Sequence, residues 1–206
     1  FSLVIFTGLC VNTTISCSML FLLICWIIYF VLHSLLAADA VKHWFKVVFN
    51  LHGRHYRLAY NLLNLFILPA VLYLHHITTS TLFFKTNGIS VAAGLLVVLC
   101  GSAMMLAAAK AYDLPVFFGF KQETKMPLQT NGLHQFVRHP LYAGTLLLCI
   151  GICILFPYWK NALVLLVMFV YILIGIELEE RKLVAAFGDK YKHYQKKVKR
   201  LIPGLL

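Results

Sequence analysis

Polar side chains that could bind a charged ligand are concentrated at two places in this otherwise apolar chain. At the first place, Arg138 and His139 directly precede Pro140. Proline suits the first position of a helix, because its fixed φ fits a helix start and it has no N–H to leave unpaired. The amides that follow should point toward solvent, with the positive end of the helix dipole behind them. We therefore expect an anionic group such as a carboxylate to bind at this helix start.

The second place is an acidic cluster formed by Glu177, Glu179 and Glu180, with Arg181 next to it. Carboxylates at the end of a membrane helix are costly unless they are paired or face a polar cavity. We expect them near a helix C-terminus, where the dipole disfavours anions, so a cationic group should compensate them. That group is either a neighbouring Arg or Lys or part of a ligand. A ligand with a carboxylate, an ammonium and a hydroxyl-rich sugar would fit between the two clusters, and S-adenosylmethionine has all three.

Each cluster taken alone also has a simpler interpretation. An Arg-His-Pro sequence at a helix start is typical of an interfacial anchor, and two adjacent glutamates can pair with neighbouring Arg and Lys residues. Their joint position on adjacent predicted helices, on the same side of the membrane, favours a functional site.

The composition identifies the elements that must position these residues. Of 206 residues, 61% are hydrophobic and 12% are charged. A soluble domain of this size could not bury so much apolar surface. Several apolar stretches approach the roughly 20 residues that a helix needs to cross a bilayer. They are continuous rather than alternating, which favours helices over a strand barrel.

We predict one all-α membrane domain over residues 1–206, an integral bundle of about five transmembrane helices. Residues 1–11 either extend the first helix or lie at the interface. Pro157 should end the fourth span, so that spans four and five form a tight antiparallel hairpin. The segments 112–139 and 181–206 should form a cytosolic cofactor-binding loop and an amphipathic helical tail broken near Gly188. The predicted spans are 15–37, 57–76, 89–111, 140–157 and 160–180.

The charge distribution predicts the topology. With the N-terminus outside and the C-terminus in the cytosol, only Lys85 and Lys160 lie on the outer side, which leaves 16 of the 18 Lys and Arg residues on the cytosolic side. The net charge of +11 therefore indicates contact with anionic membrane lipids rather than with nucleic acid. No Cys/His cluster has the spacing of metal ligands, so we expect no metal site.

From Asn131 to Pro203 the sequence resembles the isoprenylcysteine carboxyl methyltransferase superfamily. That superfamily also includes membrane phospholipid methyltransferases, thiol S-methyltransferases and NnrU-like proteins. Near the N-terminus, His33-Ser34-Leu35-Leu36 and the run Tyr56 to Asn61 look like the NnrU and small-thiol branch. The motifs of the C-terminal half are Asn131-Gly132-Leu133, the run Phe136 to Gly144, Glu179-Glu180-Arg181-Lys182-Leu183, Phe187-Gly188, Tyr191, Tyr194 and the run Val198 to Pro203.

The resemblance implies that S-adenosylmethionine lies in a cytosol-facing pocket capped by the tail, and that a second substrate enters from the bilayer. It implies catalytic roles for Arg181 and Glu180, with Arg181 next to the acceptor. The implied cofactor-binding residues are His134, Val137, Arg138, His139, Pro140, Leu141, Tyr142, Gly144, Glu179, Glu180 and Tyr191.

We therefore predict a membrane methyltransferase acting on a lipidic or small membrane-soluble acceptor, either a thiol or an isoprenylcysteine-like carboxylate. Methyl transfer is an in-line displacement that needs alignment and exclusion of water rather than a covalent intermediate. No GxGxxG follows a strand, which excludes a soluble Rossmann-type methyltransferase. Two alternatives remain. One is an NADPH-dependent reductase of the sterol-reductase type, which shares a related helix-start motif, and the other is a non-catalytic NnrU-like membrane protein.

Overall fold

The computed structural model describes residues 2–110, 115, 120, 121 and 127–204, with side chains from Cys17 onward. Within these ranges the chain is helical and has no strand longer than an isolated bridge. A single 3-10 turn, Gly132–Gln135, precedes the fifth helix. The helices are α1 Ser2–Ala37, α2 Asp39–Phe49, α3 Gly53–Ile77, α4 Gly88–Ala109, α5 Pro140–Leu155, α6 Trp159–Phe187 and α7 Asp189–Lys197.

The all-α membrane bundle predicted from composition is confirmed. Four helical segments in the described ranges are long and apolar enough to span a membrane: Cys17–Ala37, Gly53–Ile77, Gly88–Ala109 and Trp159–Phe187. They correspond to four of the five predicted spans, and the protein is a multi-pass membrane protein. The remaining span corresponds to α5, whose 16 residues rise about 24 Å, short of the ~30 Å hydrocarbon core. A fifth span therefore stays a prediction.

Glycines allow the backbones of α4 and α5 to come into direct contact. A Cβ added to Gly101 would lie 2.5 Å from the amide nitrogen of Leu148, and one added to Gly144 would lie 3.0 Å from the carbonyl oxygen of Gly101. Gly94 and Gly151, which lie seven residues from Gly101 and Gly144 respectively, form a second close contact between the two helices. Small residues at a helix interface permit the close packing on which association in lipid depends. Gly144, which the family resemblance implies for cofactor binding, lies against helix α4 in the structure.

Aromatic packing joins α1 and α3 to α6. Trp26 and Phe30 of α1 are buried with Val71 of α3, and the ring of Phe30 stacks on that of Tyr171 with a centroid distance of 4.6 Å. The Ser34 hydroxyl also donates to the Tyr171 hydroxyl at 3.1 Å. These contacts fix α1 and α3 to the helix that carries the acidic cluster.

One expectation differs from the structure, namely that the acidic cluster lies near a helix end. Helix α6 does not end at residue 180 but continues through Phe187, because residues 181–187 contain neither glycine nor proline. The acidic cluster is thus inside a helix, and the dipole at the helix end, which acts within the last turn, does not bear on Glu180. Between the first two predicted spans the chain forms the amphipathic helix α2. The break near Gly188 is confirmed, since this residue separates α6 from α7 with φ +56°.

Candidate functional site

The buried carboxylate of Glu180 joins the start of α5 to the tail. The residue is 3% exposed. Its Oε1 accepts a hydrogen bond from Nε of Arg138 at 2.7 Å and lies 3.1 Å from Nε2 of His139. Its Oε2 accepts from Nε2 of Gln195 at 3.1 Å and from Nε of Arg200 at 3.2 Å. Protein groups therefore engage both oxygens, which satisfies a buried charge that would otherwise be costly.

The backbone before α5 pairs with the end of the chain. The amide of Arg138 donates to the carbonyl of Lys199 at 2.8 Å, and the amide of His139 donates to the carbonyl of Arg200 at 3.1 Å. The Arg138 guanidinium also donates to the carbonyls of Gln195 and Val198. The segment at 198–200 is consequently held against the start of α5, and it keeps the tail over the acidic part of α6.

A cavity of about 260 Å³ lies between the start of α5, the C-terminal part of α6 and helix α7. Its described wall also includes residues 127–129, next to residues 122–126, which are outside the described ranges. The polar side chains of the wall are Gln129, His134, Arg138, His139 and Glu179. The apolar and aromatic side chains of the wall are Pro127, Leu128, Leu183, Phe187, Tyr191 and Tyr194.

The hydroxyl of Tyr191 is a buried donor in this wall. The residue is 1% exposed, and its hydroxyl forms no hydrogen bond of ordinary geometry with the described residues, although the carboxylate of Glu180 lies near enough to raise its pKa. Burial raises the pKa of Tyr191, and the charge of Glu180 raises it further, so the hydroxyl stays protonated. A buried polar group without a partner costs about 1–3 kcal/mol. A ligand acceptor at this point would remove that cost.

Two histidines complete the polar side of the cavity. Burial lowers the pKa of His134, and the nearby His139 adds to this effect, which favours a neutral His134 imidazole at neutral pH. The carbonyl of His134 accepts a hydrogen bond from the hydroxyl of Tyr194. Nδ1 of His139 lies 3.8 Å from a carboxylate oxygen of Glu179, which is partly exposed. The wall therefore presents a neutral ring, a carboxylate and a phenol to one space.

Of the residues predicted for the cofactor, the structure brings His134, Arg138, His139, Glu179 and Tyr191 to this cavity. The others lie elsewhere. Gly144 packs on α4, Val137 lines a separate apolar groove, and Pro140 is buried. Leu141 and Tyr142 lie in the first turn of α5, where the ring of Tyr142 packs on that of His139 at a centroid distance of 5.7 Å.

The predicted catalytic residue Arg181 does not line the described part of the cavity. Its side chain is 72% exposed, and its Nε lies 3.4 Å from Oε1 of Glu177. The sequence did not indicate Gln195 at all, and Arg200 was only part of a motif, although both bind Glu180. Their distance along the chain from Glu180 gives no periodic signal, so only the fold of the tail reveals them.

An apolar groove of about 680 Å³ lies on the other side of the α5 start. It is bounded by α4, α5, α6 and residues 201–203, and the described residues of its wall are all apolar. Leu133 and Val137 line the groove, whereas their neighbours His134 and Arg138 line the cavity. The short segment before α5 thus separates a polar cavity from a surface suited to lipid.

Comparison with known proteins places this chain close to membrane methyltransferases. Residues 89–190 match the family model described as phospholipid methyltransferase. Methanethiol S-methyltransferase 2 of Bradyrhizobium diazoefficiens is 30% identical over 191 residues, which are 84% of this chain and 68% of that protein.

Two other relatives match over shorter stretches. Methanethiol S-methyltransferase of Crocosphaera subtropica is 35% identical over 95 residues, 43% of this chain and 34% of that protein. Protein-S-isoprenylcysteine O-methyltransferase of Schizosaccharomyces pombe is 38% identical over 103 residues, 50% of this chain and 43% of that protein. The chain spans about a third of the length of several curated relatives that it matches. No solved structure matches it. These names do not favour the reductase interpretation.

Proposed function

Because the chain belongs to the isoprenylcysteine carboxyl methyltransferase and phospholipid methyltransferase superfamily, we propose that it is an integral membrane methyltransferase that uses S-adenosylmethionine. The observation that carries the proposal is the cavity in which the start of α5, the acidic part of α6 and the aromatic side chains of α7 meet. The α5 and α6 parts of this wall lie inside the matched range 89–190.

The chemistry of the wall fits the proposed cofactor. Arg138 and His139 on the polar side of the wall would hold the carboxylate of its methionine part. The carboxylate of Glu179 would accept from its ammonium or from ribose hydroxyls, and the Tyr191 hydroxyl would donate to a remaining acceptor. Leu183 and Phe187 provide an apolar surface for the adenine.

We assign Glu180 a positioning role. It does not line the described cavity, and four protein side chains bind its oxygens. By holding Arg138 and His139 in place, it fixes the polar side of the cavity. The direct contact between Glu180 and the cofactor implied by the family resemblance stays a prediction, as does the place of Arg181 next to the acceptor.

The bound cofactor supplies an electrophilic methyl group on a sulfonium. A lone pair of the acceptor forms the new bond to carbon while the carbon–sulfur bond breaks, and the sulfonium leaves as a neutral thioether. The protein has to align the two reactants and exclude water. A carboxylate acceptor is already ionised at pH 7, whereas a thiol, with a pKa of about 8.5, must first lose a proton.

The apolar groove is the proposed route of the acceptor. A lipidic or small membrane-soluble molecule would enter from the bilayer beside Phe169 and Ile150 and approach the α5 start from the side opposite the polar cavity. The relatives named for methanethiol and for isoprenylcysteine represent the two acceptor classes to be tested, a thiol and a carboxylate.

The site should face the cytosol, with the N-terminus outside. A Lys85→Cys or Lys192→Cys variant, made in a background whose native cysteines are replaced by alanine, tests this orientation. A membrane-impermeant maleimide added to intact cells should label the cysteine at 85 and not the one at 192. Labelling of the cysteine at 192 alone would show that the orientation is the opposite one.

Calorimetry with S-adenosylmethionine on the purified protein tests the cofactor proposal. A charge-assisted hydrogen bond is worth about 1.5–3 kcal/mol, so Glu179→Gln should raise Kd roughly 10- to 100-fold. Glu177→Gln is the matched control, because it removes the same charge from the same helix outside the cavity wall. Equal binding by the wild type and Glu179→Gln, or no binding by folded protein, would contradict the proposal.

Labelled methyl donor with a panel of thiol, prenylcysteine and phosphatidylethanolamine acceptors tests the reaction. We expect transfer to a thiol or to a carboxylate. If the protein binds the donor and methylates none of the panel, the non-catalytic interpretation replaces the enzymatic one.

A further inference from the structure

A second and larger cavity, of about 730 Å³, lies between α1, α2 and α3. It is on the same side of the bundle as the candidate methyl-transfer site, because Nζ of Lys182 on α6 lies 2.7 Å from Oδ2 of Asp39 at the start of α2. All the residues of its wall lie between 33 and 64, outside the matched range 89–190. The family comparison therefore assigns it no role.

The wall of this cavity is rich in basic side chains. Its basic side chains are Lys42, Lys46 and Arg57, and no carboxylate is among the described residues that line it. Asp39 lies outside the wall and compensates Lys42 at 3.2 Å. Three histidines add further nitrogen donors: His33, His43 and His52. A concave surface with one sign of charge focuses its field and attracts an oppositely charged ligand.

The deeper part of the cavity is polar and already ordered. The hydroxyl of Tyr60 lies 2.9 Å from Nδ1 of His33, which lies 3.0 Å from Oδ1 of Asn64. The amide group of Asn64 donates to the carbonyl of Tyr60 at 2.8 Å. Polar groups in a membrane helix are costly unless they are paired or face a polar space. This network gives the floor of the cavity fixed hydrogen-bonding groups below the cationic rim.

Helix α2, which forms one side of the cavity, has the features of an interfacial helix. Trp44, Val47 and Phe49 are each more than half exposed, and Lys42 and Lys46 lie on its polar side. Such a helix lies at the boundary of headgroups and acyl chains. A ligand in the cavity would consequently have its charged part among the lysines and its neighbouring part beside hydrocarbon.

We propose that this cavity binds the phosphate-bearing headgroup of an anionic phospholipid from the cytosolic leaflet. The rim formed by Lys46 and Arg57 contacts the phosphate, and the polar floor at His33 and Tyr60 accepts the remaining headgroup hydroxyls. The acyl chains run along the exposed apolar face of α2. The site is separate from the proposed methyl-transfer cavity and does not depend on the proposed activity.

Native mass spectrometry of the full chain in neutral detergent tests the proposal. We titrate phosphatidylglycerol against phosphatidylcholine with the same acyl chains, and inorganic phosphate is added in a third arm. We expect one tightly held phosphatidylglycerol and no comparable binding of phosphatidylcholine or inorganic phosphate. If inorganic phosphate displaces the lipid at equal concentration, the lipid assignment is wrong.

Matched variants locate the site. Each basic side chain near anionic lipid is worth about 1 kcal/mol, so Lys46→Gln and Arg57→Gln should each weaken phosphatidylglycerol binding about fivefold. Arg54→Gln, one turn earlier on α3 and outside the wall, is the control and should have no such effect. An equal loss in Arg54→Gln would overturn the proposal. Lys46 is exposed, so its variant tests the site even if Arg57→Gln folds poorly.

Discussion

Arg138 and Glu180 lie 42 residues apart in sequence, and the Arg138 Nε donates to Glu180 Oε1 at 2.7 Å. Both side chains are less than a tenth exposed. The pair fixes the start of α5 against α6, and the same guanidinium holds the carbonyls of the tail. The polar cavity therefore depends on one buried ion pair for its shape.

Glu180→Gln should destabilise the protein strongly. Removing one partner of a buried ion pair leaves an uncompensated charge, which costs about 3–5 kcal/mol. We expect a lower unfolding midpoint in detergent and faster tryptic cleavage after Lys196 and Lys197. Glu177→Gln, on the same helix but about half exposed, should cost less than about 1 kcal/mol. Equal stability of the two variants would show that the ion pair does not hold the tail.

Tyr191→Phe should weaken cofactor binding without lowering stability. The Tyr191 hydroxyl forms no hydrogen bond of ordinary geometry with the described residues, so its removal should cost little internal stability. Loss of a bond to the cofactor, about 1 kcal/mol, should raise Kd about fivefold in calorimetry. Tyr194→Phe is the comparison, because the Tyr194 hydroxyl donates to the His134 carbonyl and its loss should lower the unfolding midpoint. Unchanged Kd in Tyr191→Phe would remove Tyr191 from the site.

Gly144→Ala should disrupt the packing of α4 and α5. The new Cβ would lie 2.8 Å from Cγ of Met105 and 3.0 Å from the carbonyl oxygen of Gly101. Overpacking of this kind costs about 1–3 kcal/mol. At Gly175 the nearest atom would be 3.9 Å away, so Gly175→Ala should be neutral or stabilising through its higher helix propensity. Thermal unfolding of both variants in detergent checks this, and equal midpoints would contradict the backbone contact.

Stability should fall at mildly acidic pH because of His134. Burial lowers its folded pKa, so as pH falls the unfolded chain, with a histidine pKa of about 6.5, binds the proton first. This contribution is complete above about pH 6.5 and is lost progressively as pH falls toward the lowered folded pKa. Unfolding midpoints at pH 7.5, 6.5 and 5.5 should fall less steeply in His134→Gln than in the exposed-histidine control His193→Gln. Identical slopes would exclude His134 as the cause.

The sequence by itself determined that the protein lies in a bilayer and that it is built from helices. Continuous apolar stretches of about 20 residues require a bilayer and form helices, whatever their neighbours are. It also identified the two polar clusters, because charged residues such as Arg138 and Glu180 are rare in an apolar chain. Local rules predicted the break at Gly188, where α6 ends, but not the continuity of α6 across residue 180, since helix propensity is high on both sides of that position.

Only the tertiary structure decided how those clusters are used. Sequence separation carries no information on which donors reach a buried carboxylate, so the roles of Gln195 and Arg200 followed from the position of the tail. Likewise, the contact between Gly144 and α4 depends on how the two helices pack. The cationic cavity at Lys46 and Arg57 exists because three helices converge there, which no local pattern expresses.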